Sequence, residues 1–170
     1  MISTKGRYAL RVMIDLAECE KEEAEAAASA EDFDAGNTDA PAEGSRTSDA
    51  APSRKNGAPH YVALKDVAER QGISKKYLEI IVKDLVAAGF IRGTRGKSGG
   101  YVLTRKPEDY TVQEILDSTE GEFAAVACLA KDAAKCPRSS YCKTLPMWKE
   151  YAMLTHDFFY NKSLKELAES

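Results

Sequence analysis

No stretch of this 170-residue sequence approaches the roughly 18 consecutive apolar side chains of a membrane-spanning helix, so none is expected. The opening Met1-Ile-Ser-Thr-Lys-Gly-Arg lacks the apolar core and small-residue cleavage site of a secretory signal, which predicts a cytoplasmic protein. Thiols stay reduced there, so the four cysteines read as ligands or free thiols rather than a disulfide framework. Histidine is scarce: only His60 and His156 occur, and neither stands in a recognisable relation to a cysteine nucleophile, which argues against a thiolate enzyme. The run Gly96-Lys97-Ser98 lacks the glycine that a phosphate-binding loop needs five positions earlier, where this chain has Ile91. Large apolar side chains are nearly absent from Glu20 to Pro59, with Phe33 the exception, so that segment cannot bury enough surface to offset the entropy of ordering. One compact core plus an insert is the organisation such a length allows.

What is present is unevenly charged. The overall charge is −3, yet residues 18–50 hold eleven acidic side chains against Lys21 and Arg46, a net of −9. Residues 70–106 hold nine basic side chains against Glu79 and Asp84, a net of +7. A cationic stretch of that density suits phosphate neutralisation, and the global figure conceals it.

Hydrophobic periodicity then supplies a mostly α-helical fold. Leu10, Met13, Ile14 and Ala17 predict a first helix from Thr4 to about Glu18, capped by Ser3 or Thr4. The segment 20–59 is expected to be a disordered acidic insert, whose Ala- and Glu-rich beginning suits an extension of that helix. Leu64, Val67 and Ala68 mark a short helix ending at Gln71-Gly72, and Ser74 caps a second carrying Leu78, Ile81, Val82 and Leu85. Two helices joined by a short glycine turn form a helix-turn-helix. Phe90-Ile-Arg92 and Tyr101-Val-Leu103 are strand candidates, and the glycine-rich tip between them makes a β-hairpin wing. Thr111-Val-Gln-Glu114 and Ser163-Leu-Lys-Glu166 open further helices, and Leu145 to Tyr160 forms a long one with Leu145, Trp148, Ala152, Thr155 and Phe159 along one side and Leu154 and Phe158 beside them, a wide face that wants a partner. The expected divisions are 1–19, the insert 20–59, the helix-turn-helix and wing 60–106, a helix with a cysteine segment 107–143, and a terminal pair of helices 144–170.

In a helix-turn-helix the second helix enters the major groove with its first residues at the base edges. Here those are Ser74, Lys75, Lys76, Tyr77 and Glu79, with Lys83 one turn on; the lysines and Tyr77 suit phosphate oxygens, Glu79 a cytosine amino group and Ile80 a thymine methyl. Arg95 and Lys97, flanked by glycine, place cations at a minor groove or its phosphates. Double-stranded DNA is therefore the expected partner; an ordinary solvated helix face is the plainer reading of the charges alone. Cys128, Cys136 and Cys142, spaced by seven and five residues in a polar segment, ask for a soft metal or cluster. Iron–sulfur, zinc in a wider spacing than structural sites use, and three inert thiols are the readings, and none of Lys143, Thr144 and Leu145 supplies a good fourth ligand.

Four segments in order carry a family resemblance: Ser3-Thr-Lys-Gly-Arg-Tyr-Ala-Leu, Glu69-Arg-Gln-Gly-Ile-Ser-Lys-Lys-Tyr-Leu-Glu79, Arg95-Gly-Lys-Ser-Gly-Gly-Tyr-Val-Leu103, and Cys136-Pro-Arg with Cys142 and Trp148. Together they resemble the Rrf2 family of bacterial winged-helix repressors, with its IscR-like, NsrR-like and CymR-like members. The resemblance implies a homodimer joined through the long C-terminal helix, reading palindromic promoter sites. In IscR-like and NsrR-like members it also implies a two-iron or four-iron cluster on three cysteines, matched here by Cys128, Cys136 and Cys142. Tyr77 and Glu79 match recognition-helix positions and Arg95 the wing arginine. Leu145 stands where IscR-like members carry a histidine, and NsrR-like members draw a carboxylate from the first helix of the other subunit, near Tyr8 here, a role that Asp15 or Glu18 further along that helix would have to take over. A cofactor-free or zinc-containing regulator of the same fold governed by a protein partner, as in CymR-like members, is the alternative.

Overall fold

The computed structural model describes residues 2–31, 60–96, 99–121, 124–130 and 132–170. Its elements are α1 (Thr4–Glu31), α2 (Leu64–Gln71), α3 (Lys75–Ala87), β1 (Ile91–Thr94), β2 (Gly100–Leu103), α4 (Val112–Glu120), α5 (Leu145–Tyr160) and α6 (Leu164–Ala168). The described fold is mostly helical, with one two-stranded antiparallel hairpin. None of its helices is long and apolar enough to cross a membrane.

The buried face of α1 is Ala9, Val12, Met13, Leu16 and Ala17, at helical spacing. It is rotated from the expected stripe, leaving Leu10 and Ile14 half-buried, because Val12 and Leu16 share an apolar arc wider than four positions define. The helix also runs past residue 19, where the acidic insert was expected to begin, and continues to Glu31. Alanine and glutamate are strong helix formers, and they extend a helix that the core has already nucleated. The remainder of that insert, 32–59, lies outside the described residues. On its far side His60 meets Glu23 of α1, Nδ1 to Oε1 at 2.5 Å, so the chain returns beside the helix it left.

The helix-turn-helix forms as its punctuation requires. Gly72 ends α2 at φ +63°, a left-handed conformation that glycine adopts without penalty, Ile73 is buried, and the Ser74 hydroxyl accepts from the Tyr77 N–H at 3.3 Å. Leu78, Ile81, Val82 and Leu85 of α3 then join Met13, Leu16, Ile91, Ile115 and Leu164 in the core.

The wing pairs Ile91 with Leu103 through Thr94 with Gly100, and Val62 adds a further bridge to Tyr101 through two backbone hydrogen bonds, 2.9 and 2.8 Å. That bridge explains Gly100: a Cβ there would stand 2.3 Å from the Val62 carbonyl oxygen. Gly100→Ala should therefore displace the bridge and cost about 1 to 3 kcal/mol, as overpacking does, read as a lower thermal midpoint. A wild-type midpoint would show that the strand edge yields freely.

Tyr110, fully buried, fastens the base of the wing. Its hydroxyl donates to the Phe90 carbonyl at 2.7 Å and accepts from the Thr104 and Arg105 N–H groups at 3.0 and 2.8 Å. The Arg105 guanidinium lies 4.3 Å from the Tyr110 ring centroid and pairs with Glu114 at 2.9 Å, while Glu114 also closes a capping box with Thr111 at the start of α4.

A second box is assembled across the fold. The Ser3 hydroxyl accepts from the Lys5 N–H at 3.0 Å, as a cap should, but the third helical position is Gly6, which has no carboxylate to complete the box. Glu120, the last residue of α4, supplies it: one oxygen accepts from the Ser3 N–H at 2.9 Å, the Ser3 hydroxyl at 2.6 Å and the Gly6 N–H at 2.9 Å. Burial raises the Glu120 carboxyl pKa, yet the Ser3 and Gly6 donors outweigh it and hold the group below its ordinary value.

No side chain of α5 is buried. The expected stripe of Leu145, Trp148, Ala152, Thr155 and Phe159 is half-buried against the rest of the chain. A second stripe, Met147, Tyr151, Leu154 and Phe158, is 48 to 64% exposed, and this is the face without a partner in the single chain.

Candidate nucleic-acid interface and thiol segment

Lys75, Glu79 and Lys83 of α3 face Arg95 of the wing across an open cleft of about 610 Å³, floored by Leu64, Val82 and Tyr101. One helix face and one hairpin thus bring together four of the eight residues expected to contact DNA. Ser74 stands at the mouth of α3 as its cap, and Lys76 and Ile80 are exposed beside it, Ile80 at 50%. Tyr77 has a packing role as well: its half-buried ring meets Tyr8 of α1 edge-on at 5.8 Å between centroids, so it packs α3 against α1. Lys97 lies outside the described residues.

Not every base in the cationic stretch faces outward. Arg70 reaches Asp15, a 2% exposed carboxylate of α1, through two hydrogen bonds of 2.6 and 3.1 Å. Gln71 adds a third at 2.9 Å and also accepts from Arg11 at 2.9 Å. The hydrogen bonding to Asp15 raises the Arg70 pKa above its ordinary value. Asp15 is thereby committed to holding α1 against α2 and is not a spare ligand carboxylate. Arg70 and Arg105, though exposed, are engaged by Asp15 and Glu114 within the fold, and Lys75, Lys76, Lys83, Arg92, Arg95 and Lys106 are exposed as well.

These structural partners gave little sequence signal. Asp15 and Tyr110 are isolated polar groups among apolar neighbours, and Glu120 pairs with Gly6 at a separation of 114 residues.

The three thiols occupy a segment held mainly by tight turns. Cys128 is exposed in a single 3-10 turn, Ala127–Leu129. Cys136 opens a turn closed by Ser139 N–H to its carbonyl at 3.0 Å, and Cys142 stands three residues before α5, its carbonyl accepting from Leu145 at 3.3 Å. Among the described residues, no three Cys, His, Asp or Glu side chains are gathered so as to hold a metal ion. The donor chemistry nevertheless fits a soft metal or iron–sulfur group, since all three are thiols.

The thiols differ in acidity. The Thr144 hydroxyl, 3.4 Å away, and the Thr144 N–H stabilise the Cys142 thiolate and lower its pKa. Burial raises that of Cys19, against the pull of Arg70 3.4 Å away. Because the thiolate is the nucleophile, Cys142 should alkylate several-fold faster than Cys19 at about pH 7.5, checked by peptide mass spectrometry. Equal rates would remove the distinction.

Comparisons with known proteins agree with this arrangement. A family described as "Rrf2: Iron-dependent Transcriptional regulator" matches residues 54–170. The protein rrf2 of Nitratidesulfovibrio vulgaris is 41% identical over 97 residues, 57% of this chain and 64% of that protein, so the match spans less than two thirds of the relative's length. The HTH-type transcriptional regulator IscR of Escherichia coli O1:K1 / APEC is 27% identical over 169 residues, 99% of this chain and 80% of that one. Among solved structures, CymR (YrzC), the global cysteine regulator of B. subtilis, superposes with a TM-score of 0.64 at 25% identity, covering 99% of this chain and 96% of that one. These relatives are named regulators rather than enzymes, and with more than half its length matched by the family, this winged-helix chain belongs to the Rrf2 family of transcriptional regulators.

Proposed function

We propose that the protein is a cytoplasmic, DNA-binding transcriptional regulator whose promoter binding is set by an iron–sulfur cluster on Cys128, Cys136 and Cys142. The observation that carries the reading is the pairing of a cationic helix–wing cleft with three thiols on a turn-held segment of the same chain. Lys75, Lys83 and Arg95 bind phosphates or base edges; Glu79 accepts from an amino group in the groove, with Ser74, Lys76 and Lys97 on flanking phosphates and the Tyr77 hydroxyl beside them. A two-iron or four-iron cluster held by the three cysteines supplies a one-electron redox centre when bound.

What the chain's own residues do follows from connectivity. Cys142 lies three residues before α5, so a rearrangement of residues 127–143 is delivered to the base of that helix. A second copy covers the exposed Met147, Tyr151, Leu154 and Phe158 face, and the homodimer presents two α3 helices to a palindromic site. Half-sites one turn apart require a separation of about 34 to 36 Å, so a small rotation of α5 changes affinity.

Anaerobic purification, followed by the visible spectrum and iron, sulfide and zinc analysis of one sample, tests the reading. A brown protein with matched iron and sulfide, both lost in Cys136→Ala together with a change in promoter affinity, is the expected result. Colourless protein, free of iron after reconstitution and fully competent for DNA, would sink it. That outcome would favour a cofactor-free regulator controlled by a protein partner. The dispersed thiols of the single chain and the likeness to CymR are the observations on that side.

A further inference from the structure

The first turn of α1 has α4 on one side and the recognition helix on the other. Lys5 pairs with Asp84 of α3, and Tyr8 meets Tyr77 of α3 edge-on. Between these contacts and the thiol segment stands Glu120, whose single oxygen closes the cap on Ser3 and Gly6. We propose that Glu120 is a positioning residue through which the cysteine segment governs the stance of α3 on DNA. This rests on the thiol-sensor reading above and adds a route within one subunit.

The argument turns on where the carboxylate comes from. A capping box whose glutamate sits in the same helix holds that helix turn whatever its neighbours do. Here the third helical position is glycine and the glutamate ends α4, so the cap on the first turn of α1 is complete only while the end of α4 is in place. Gly121 follows at φ +71°, and the chain passes into the thiol segment. The carboxylate lies close against the helix, since a Cβ on Gly6 would stand 2.3 Å from the Glu120 oxygen and would turn that side chain away from its donors. With the cap made, Lys5 and Tyr8 hold α3; with it lost, the Ser3 and Gly6 donors are freed, the turn frays, and both contacts loosen. The thiol segment and α3 thus bias one two-state element, which is the physical requirement for coupling.

By linkage, DNA bound at α3 biases the thiol segment in return. The test uses full-length, metal-free protein and a duplex that the wild type selects from a random pool. N-ethylmaleimide labelling of Cys128 and Cys142 is read by mass spectrometry with and without saturating duplex. The expected result is a change of about fivefold in the wild type, the low end of ordinary coupling. It should be abolished in Glu120→Ala and in Gly6→Ala, which break the cap from opposite sides, and retained in part in Glu120→Gln, which keeps a carbonyl acceptor. A merely structural role would lower the melting temperature and leave the labelling response intact. Folded variants that respond like the wild type, or a wild type whose labelling ignores the duplex, overturn the proposal. Failure of the sensor reading registers separately, as absence of iron and sulfide, and leaves this labelling result standing.

Discussion

Arg70→Ala should lower the stability of the protein by about 3 kcal/mol, the low end of the range for stranding a buried charge, because Arg70 is itself 45% exposed. The cost comes from what is left behind. Asp15 is 2% exposed on the inner face of α1, and without Arg70 it keeps the Gln71 amide at 2.9 Å as its remaining side-chain donor. For a domain of this size that loss corresponds to a fall in Tm on the order of 10 °C. The double replacement Asp15→Leu with Arg70→Met removes both charges and should cost less than the single change, since the penalty belongs to the unpaired carboxylate. Urea denaturation with unchanged slope is the measurement. Equal losses in both variants would assign the effect to packing of the arginine stem. Below its melting temperature Arg70→Ala should bind DNA normally, because Arg70 faces α1 and does not line the helix–wing cleft.

That last point shows how far the sequence can be read. Helix existence and punctuation were legible because they depend on local chemistry: Gly72 in a left-handed turn, Ser74 and Thr111 as caps, and four apolar positions on α3 all act within a few residues of themselves. The hairpin was legible for the same reason. Charge density marked the face between α3 and the wing, but it could not tell Lys83, which faces the cleft, from Arg70, whose partner lies 55 residues away. Tyr77 was placed on the DNA side by its position on α3, and its packing against Tyr8 depends on how α1 crosses, which no local pattern encodes. The wide apolar face of α5 was legible as a whole, but its division was not: Trp148 and Phe159 settle half-buried against their own chain, and Leu154 and Phe158 remain outside together with Met147. Gly6 read as part of a family pattern, but its reason is the Glu120 oxygen brought against it from the far end of α4. The thiols were legible as donors by residue type alone, whereas their relative placement is a tertiary matter, and among the described residues they are not gathered around a common point.

Replacing Lys75, Lys83 and Arg95 together by alanine should cause the largest loss of function. Each cation that neutralises a phosphate releases about 0.9 of a counterion, so losing three should reduce the slope of log K against log salt by about 2 to 3 units. The accompanying loss of affinity at moderate salt is about a hundredfold or more, taking roughly 1 kcal/mol for each phosphate contact and 1 to 3 for a base contact. The three residues need not act alike. Lysines on α3 are flexible point charges suited to phosphate, and their loss should weaken all sequences equally. Arg95 is carried by a hairpin whose glycines allow close backbone approach, and a planar guanidinium inserted in a groove would discriminate between sequences. Separating the single variants decides this: Arg95→Ala with an unchanged salt slope and relaxed base preference assigns it to a base edge, and a slope reduced by about 1 assigns it to phosphate. Glu79 sharpens the contrast, because a carboxylate between Lys75 and Lys83 opposes non-specific binding and is favoured only opposite a donor. Glu79→Ala should therefore tighten binding to random DNA while blunting selectivity, the reverse of the lysine variants. A triple variant whose affinity and salt slope match the wild type would place the DNA elsewhere on the molecule and remove the cleft from the account.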